Sequence, residues 1–580
     1  MYHNNNGGND LKDKQRHYKK YLNLRTMIAE SAEKFGDKTY LRYFDNDKNI
    51  CDLSFADFAK KVASLATCFH SLEDTPSRIA ILSENRYEWV IAYAAAISSG
   101  KVAIPLDKEL QFSQAAAFLR LAEADTIFYS AKFADNVRDI LSSDSNIRHF
   151  ICFDNIETDG DKRFTTFDSC ISAGAEAIAN GDTSYYLLRT DSGRMCEIIF
   201  TSGTTGTSKG VMLSEDNLMT CIHASANMVN ISDKDTILSV LPFHHTYEAC
   251  CGILTPICLG TTVCINNSLK YVTRNLKIFK PTGMVLVPLF VTTINKKIND
   301  EIRKENKEKL IKGALVVTNM ARKAGIDLRR VAFKKIHESL GGNLRTIICG
   351  GAALDPELVK RFDELGISIA QGYGITECAP LVSVSPYRHV KPASVGLPIE
   401  DSVVKIVGSD ENGNDIDLPT GEIGEICVKG PHVMLGYFNN PEATKEAFNS
   451  EGFFRTGDYG YIDSDGYIYI TGRKKNIIIF ENGKNVYPEE IEEYLSRCEL
   501  INECAVVARK VDGEDLITAV IFPNYDMFAG KTDDEIKSEI KKAVLAVNKT
   551  LPSFKQIRNV EIKKSEFEKT TTKKIIRSKI

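Results

Sequence analysis

The sequence predicts an α/β protein. A large N-terminal domain of layered α/β subdomains carries a small β-rich unit, and a small C-terminal α/β domain follows. Three observations carry this. Short apolar runs alternate with helical patterns along most of the 580 residues. Near the middle a strand–helix–strand unit reads residue by residue. From residue 396 to 472, Gly, Asp and Asn turns separate short β-rich runs. The expected layout is a polar extension over 1–24, the large domain over 25–474 and the small domain over 475–580.

Composition excludes several classes. Hydrophobic residues at 43% and charged residues at 26% are ordinary for a globular chain. The 73 basic and 77 acidic residues leave a net charge of −4, a balance that gives no support to wholesale binding of nucleic acid by a basic surface. Apolar stretches such as Val90–Ile97 fall far short of the roughly 18–20 residues that span a bilayer. Met1–Gly8 has no apolar core and does not read as a signal peptide, so a cytoplasmic location is expected. The 15 cysteines are odd in number and include no Cys-x-x-Cys, which predicts buried reduced thiols rather than a zinc site or disulfides.

The elements follow in order. Met195–Phe200 reads as a strand running into Thr201–Gly210, with a helix after it. Ser214 is the expected N-cap, with Glu215 and Asp216 in the first turn. Arg345–Cys349 is a strand ending in Gly350-Gly-Ala-Ala353. The next helix has Asp355 as cap, Pro356 at its first position and Gly366 past its end. Ile367–Ala370 is the following strand, ending in Gln371-Gly-Tyr-Gly-Ile-Thr-Glu377. Such a unit makes its strands parallel, and both loops then share the carboxyl edge where open sheets bind ligands. Glu425–Lys429 and Tyr467–Thr471 are expected in a small antiparallel unit, and Gly472–Asn476 is a basic connector. Beyond it lie helices Pro488–Ser496 and Asp533–Asn548 and strands Cys504–Ala508, Leu516–Phe522 and Asn559–Ile562.

The loop Thr201–Gly210 holds six hydroxyls and three glycines around Lys209. Glycines let backbone amides approach an anion, and hydroxyls and a lysine add donors, so phosphate is the natural guest. The loop is not a Walker A motif. Gly206-Thr-Ser-Lys-Gly210 also matches the Gly-x-Ser-x-Gly elbow of serine esterases. That rival would need Ser208 on the turn leaving its strand and a histidine later in the chain, and the last histidine is His432.

Phe200–Gly210 resembles the signature of the AMP-forming adenylate synthetases: acyl-CoA synthetases, luciferases and peptide-synthetase adenylation domains. Leu241-Pro-Phe-His-His-Thr-Tyr-Glu248, Gly350–Leu354, Gln371–Glu377, Arg455-Thr-Gly-Asp458, Gly472-Arg-Lys-Lys475 and Lys569-Thr-Thr-Thr-Lys-Lys-Ile575 follow in that family's order. The resemblance implies a two-step reaction. A carboxylate attacks the α-phosphate of ATP to give acyl-AMP and pyrophosphate. A thiol, usually coenzyme A, then takes the acyl group and releases AMP.

It also implies residue roles. Thr201, Ser202, Gly203, Thr204, Thr205, Gly206 and Lys209 would wrap the phosphates. Thr376 would bond the α-phosphate, and Glu377, with Thr204, would hold Mg²⁺, which prefers hard oxygen ligands. Tyr373 would stack on adenine, among Gly351, Ala352, Ala353, Gln371, Gly372 and Gly374. Asp458 would accept from the ribose hydroxyls, with Arg473 close by. Lys574 would bridge the carboxylate and the α-phosphate, acting by position and charge. Lys475 would be the hinge on which a small mobile domain swings between the two steps. Asn476–Val486, including Gly483, would line the thiol path, and His245 the acyl entrance.

The chain departs from the family pattern at Lys573, where Gly is usual, at Glu568, where Pro is usual, and at Ser208, where many members have Pro. Adjacent Lys573 leaves the assignment of the catalytic lysine open between two side chains. Phe243 is followed by His244 rather than by the Asp of amino-acid-activating members, so an amino acid substrate is disfavoured. Leu241–Glu248 and Ser83-Glu-Asn-Arg-Tyr-Glu-Trp89 are similar to the long-chain fatty acyl-CoA synthetase branch. The chain ends at Ile580 with no carrier domain, so free coenzyme A is the expected acceptor, with acyl carrier protein as the alternative. Fatty acids partition into bilayers, and the basic C-terminal tail is compatible with transient contact with acidic lipids.

Overall fold

The computed structural model describes residues 17–142, 146–156, 160–201, 208–387, 389–480, 485–511, 514–569 and 575–580. It is mixed α/β, with several sheets in its larger N-terminal part. One sheet runs, in spatial order, Leu397–Pro398, Leu381–Val384, Ser368–Gly374, Thr346–Cys349, Gly283–Leu286, Thr236–Ser239, Thr262–Ile265, Thr39–Phe44 and Ile50–Ser54. Its inner strands are parallel. The strand–helix–strand unit forms as read, with Ile347 opposite Ile369. The Asp355 side chain caps Pro356–Leu365, and Gly366 closes that helix at φ 87°, a conformation that suits glycine.

A second sheet runs Gly436–Tyr437, Lys209–Ser214, Met195–Thr201, Val102–Leu106, Arg78–Leu82, Thr126–Tyr129, His149–Cys152 and Phe164–Thr166. The helix Tyr87–Ser98 is buried almost all round, packed on Phe55–Ser71 and on Arg78–Leu82 and Val102–Leu106. A helix covered on every side must be apolar on every side, which explains Val90–Ile97. Among the described residues no helix is long and apolar enough to cross a membrane. The 15 cysteines are all free thiols, twelve of them buried.

Strands between Val403 and Arg473 form an antiparallel five-stranded sheet, the β-rich unit. Ile501–Val511, Glu514–Pro523 and Asn559–Ile562 form a smaller sheet. Helices Pro488–Ser496 and Asp533–Asn548 cover it through Ile491, Leu495 and Ile540. Of the polar extension, residues 1–16 lie outside the described residues. Its end is already tied down: Tyr18 N–H donates to Asn227 Oδ1 at 2.8 Å, and Asn23 caps the helix Leu24–Phe35.

Three local expectations are corrected. Met195–Thr201 is followed by a second strand, Lys209–Ser214, before the helix Glu215–Met228 begins. The two strands are antiparallel, with Phe200 opposite Gly210 and Thr201 opposite Lys209. Val211 and Leu213 are buried while Met212 between them is half-buried, the period-2 alternation of a strand. Ser214 does cap the helix, in a reciprocal pair with Asn217. Ser208 therefore lies at the foot of a hairpin strand, not on the strand-to-helix turn that an esterase elbow requires. The second correction concerns Gln371–Gly374, which extend the strand Ser368–Gly374 instead of forming a loop. The chain returns antiparallel as Leu381–Val384 and pairs with them, Tyr373 opposite Ser383. Third, Gly472 and Arg473 complete the strand Ile468–Arg473, and Lys474–Asn476 form a single tight turn after it.

Two buried carboxyls deserve a titration. Glu197 is fully buried and accepts from Tyr93 Oη at 2.8 Å; burial raises its pKa from 4.5 to about 8. Glu248, bonded to Ser239 Oγ, is raised in the same way. A carboxyl raised in the folded state binds more protons there than in the unfolded chain. Its contribution is therefore complete below the unfolded value and is lost as pH climbs towards about 8. Glu197→Gln is expected to flatten the fall in denaturation midpoint between about pH 5 and 8. An unchanged slope in urea titrations across that window would contradict this.

Candidate active site

The parallel strands Thr346–Cys349 and Ser368–Gly374 deliver Gly350–Ala353 and Gln371–Glu377 to one sheet edge. Gly351 has φ 86°. A Cβ on Gly350 would sit 3.2 Å from both Gly372 O and the Tyr247 ring, so glycine lets the two strands and that tyrosine close up. A Cβ on Gly374 would stand 1.8 Å from Pro380 O, which no side chain tolerates. Gly351, Ala352 and Ala353 are exposed at the edge. Gln371 is buried with its amide group donating to Pro392 O at 2.7 Å and Ser394 O at 3.0 Å, so its side chain holds the neighbouring loop.

Tyr373 and Asp458 meet across two sheets. Tyr373 Oη donates to Asp458 Oδ2 at 2.7 Å, and Arg473 Nε lies 2.7 Å from Asp458 Oδ1. Arg473 stands opposite Asp458 on the paired strands Phe454–Ile462 and Ile468–Arg473. Asp458 is 4% exposed. Burial first, and then the Asp458 charge, hold the Tyr373 phenol far above its ordinary value, so it remains a donor.

Thr376–Cys378 form one tight turn. Glu377 Oε1 accepts from Tyr437 Oη at 3.0 Å, and Glu377 O accepts from Met434 N–H at 2.8 Å. Tyr437 lies opposite Val211 on the hairpin, and Lys209 Nζ stands 4.7 Å from its ring centre. One tyrosine thus links Lys209 to Glu377. Sequence reasoning missed it, since a lone Gly-Tyr pair carries no periodic signal.

A cavity opens at this edge. Its walls include Val229, Ile237, Tyr247, Leu259, Leu381 and Val384, and Gly350, Gly351 and Tyr373 stand at the sheet edge. The empty space at this edge is about 690 Å³, a figure that takes in open solvent at the mouth. The lining side chains are apolar apart from the hydroxyls of Ser225, Tyr247, Thr255 and Tyr373 and the thiol of Cys251. His245 is not among the lining residues. Its ring packs at 4.1 Å on that of His244, a histidine held far below its usual pKa by burial and then by the charges of His245 and Lys108. The aromatic that reaches the cavity from this segment is Tyr247, two residues on, whose Oη donates to Ile348 O at 3.1 Å.

Lys475 is exposed to solvent. Partial desolvation, then the charges of Arg473 and Arg577, lower its pKa. Beside it, a Cβ on Gly472 would lie 2.7 Å from Glu489 Oε2, and Asn476 donates to Glu489 Oε1 at 2.5 Å. Ser202, Gly203, Thr204, Thr205, Gly206, Gly483, Lys573 and Lys574 lie outside the described residues. Lys569 and Ile575, on either side of the lysine pair, form an antiparallel bridge. The tail's Lys564, Lys569, Arg577 and Lys579 each face a carboxylate within the chain, so their charge is largely spent internally.

An apolar cavity that opens on the glycine-lined carboxyl ends of parallel strands defines an α/β enzyme built to hold a ligand at a sheet edge. More narrowly, the chain belongs to the AMP-binding enzyme family: the family model matches residues 28–438, and that of the AMP-binding enzyme C-terminal domain matches residues 475–580. It is 28% identical over 579 residues to a chloroplastic long-chain-fatty-acid–acyl-carrier-protein ligase of Arabidopsis thaliana, covering 89% of this chain and 78% of that protein. It is 27% identical over 555 residues to a long-chain-fatty-acid–CoA ligase of Mycobacterium tuberculosis, covering 90% and 88%. Among solved structures, the anthranilate CoA ligase AuaEII with anthranoyl-AMP superposes at TM-score 0.76 with 20% identity, covering 97% of each chain. ATP-bound MatB from Rhodopseudomonas palustris superposes at 0.73 with 22% identity, covering 96% and 98%.

Proposed function

We propose that this chain activates a fatty acid with ATP and passes it to coenzyme A: acid and ATP give acyl-AMP and pyrophosphate, then acyl-CoA and AMP. The observation that carries the reading is the apolar cavity opening beside Gly350, Gly351 and Tyr373. An acyl chain in that cavity holds its carboxylate at the nucleotide edge. In this reading Thr201–Lys209 take the β- and γ-phosphates, Thr376 the α-phosphate, and Asp458 with Arg473 the ribose. Lys574, on the small domain, neutralises the charge between carboxylate and α-phosphate, and Lys475 is the pivot. Glu377 fits a Mg²⁺ role, because one hard carboxylate suffices for an ion that keeps several waters and takes phosphate oxygens. The ion would supply charge neutralisation at the phosphates.

The long-chain preference is supported by the relatives' names and by the lining. Each buried CH₂ contributes roughly 0.8 kcal/mol, or about fourfold in affinity. Cavity depth therefore outweighs any single polar contact in setting chain length. The test is AMP release with ATP, Mg²⁺ and acids from acetate to oleate, each with and without coenzyme A. CoA-dependent release that peaks at long acids supports the reading, and a peak with short or aromatic acids moves the substrate. An adenylate signal indifferent to coenzyme A favours acyl carrier protein as acceptor.

Val229→Phe puts a ring into the cavity wall. It is expected to shift the optimum shorter by two or so carbons and to lower kcat/KM for the longest acids roughly tenfold. Activity on short acids should stay within about twofold. An unchanged chain-length profile would remove the cavity from the acyl site.

A further inference from the structure

Helix Glu308–Lys323 is apolar on the wrong side as well as the right one. Its inner face, Ile311, Ala314 and Leu315, packs on the core beneath the first sheet. Asn319 Nδ2 donates to Glu364 Oε1 at 3.1 Å, and Arg322 pairs with Asp363 at 2.5 Å, which anchor the helix. Its outward face nevertheless presents Leu310, Val316, Val317 and Met320, 65%, 60%, 60% and 67% exposed. Leu310, Gly313, Val317 and Met320 follow the i, i+3, i+7, i+10 spacing of one helical stripe. Ile326 and Val331, just past the helix, are 56% and 76% exposed.

Charge says what this face meets. Residues 288–340 hold thirteen Lys and Arg against six Asp and Glu, a balance of +7 in a chain of net −4, from which Glu499, paired with Arg303, and Asp363, paired with Arg322 and Arg329, subtract from outside the stretch. The remaining residues therefore carry −11. Lys309, Lys312 and Lys323 project at the stripe's flank, and none of them forms an ion pair among the described residues. A second copy of the chain would set +7 against +7, and a phosphate backbone has no use for Leu310 or Met320. An anionic bilayer uses both: acidic headgroups attract the lysines, and the headgroup–acyl boundary accepts the apolar stripe.

We infer that the outward face of Glu308–Lys323 docks this protein, parallel to the surface, on a membrane rich in anionic lipid. This surface is separate from the catalytic edge and from the C-terminal tail, and the inference stands whatever the acid.

The test is flotation of the full chain with vesicles of phosphatidylcholine alone and with about a third phosphatidylglycerol. At low salt the anionic vesicles should bind at least about tenfold more tightly, and the difference should shrink as salt rises. The pair Val317→Glu and Met320→Glu should lower binding about tenfold or more while AMP release with a short soluble acid is unchanged. Lys309→Glu, Lys312→Glu and Lys323→Glu together should lower it as much without touching the stripe. Failure to float with anionic vesicles overturns the inference. So does binding that the lysine variant weakens and the stripe variant does not, which would be mere charge adsorption. A lipid-free dimer by light scattering that Val317→Glu and Met320→Glu dissolve would assign the face to a second copy instead.

Discussion

Asp458→Ala is expected to lower kcat/KM for ATP about 10²–10⁴-fold, because two charge-assisted hydrogen bonds of roughly 1.5–3 kcal/mol each would be lost. Asp458 is held at the centre of a fixed triangle, with Tyr373 on one oxygen and Arg473 on the other. A nucleotide ribose would meet a carboxylate that is already buried and oriented. Alanine also leaves the Tyr373 phenol buried without its acceptor, which costs about 1–3 kcal/mol of stability. Tyr373→Phe separates the two effects. It removes the phenol and keeps the charge, and activity should stay within about tenfold of the parent. Pyrophosphate release at varied ATP reads both variants. If the two lose activity equally, the carboxylate is a structural member and not a ribose ligand.

Lys574→Ala should abolish the first half-reaction and spare the second. Removing one preorganised charge from a developing transition state costs about 10²–10³-fold. Acyl-AMP formation should fall by that much, while thioester formation from supplied acyl-AMP changes less than about threefold. Lys573→Ala is the companion, since the two lysines are adjacent in sequence. Single-turnover pyrophosphate release and acyl-CoA formation from synthetic adenylate read the two steps apart. Equal loss in both would remove the swinging-domain assignment, and a larger loss in Lys573→Ala would move the catalytic charge by one residue.

Some of this was written plainly in the chain. The unit around Pro356–Leu365 declared both ends of its helix, with Asp355, Pro356 and Gly366 at positions where only local geometry matters. The helix cap at Ser214 was legible for the same reason. The hairpin at Lys209–Ser214 was not, because its six residues begin with Lys and Gly and its partner strand lies across a polar loop. Gln371–Gly374 looked like a glycine-rich loop, and only the returning strand Leu381–Val384 makes them a ladder. Tyr247 and Tyr437 reach the site through tertiary pairing, which no spacing within the chain encodes. His245 carried the motif, yet the neighbour two residues along lines the cavity. Short-range rules name the ends of elements, and long-range contacts choose which side chain arrives.

The pairing of Thr39–Phe44 with Thr262–Ile265 has a temporal consequence. Leu41 lies opposite Val263, whose synthesis comes 222 residues later. At about 5–20 residues per second, Leu41 waits roughly 10–45 s on the ribosome for its partner. Until then it has only the hairpin with Ile50–Ser54, and a lone two-stranded ribbon is marginal in water. The same late strand pairs Val263 with Ile237, a cavity-wall residue, and the wall residues Leu381 and Val384 arrive later still, so the sheet behind the cavity closes only when about two-thirds of the chain exists. The birth of this enzyme thus includes an interval in which its oldest strands are open edges, and nascent-chain chaperones have that interval to cover them.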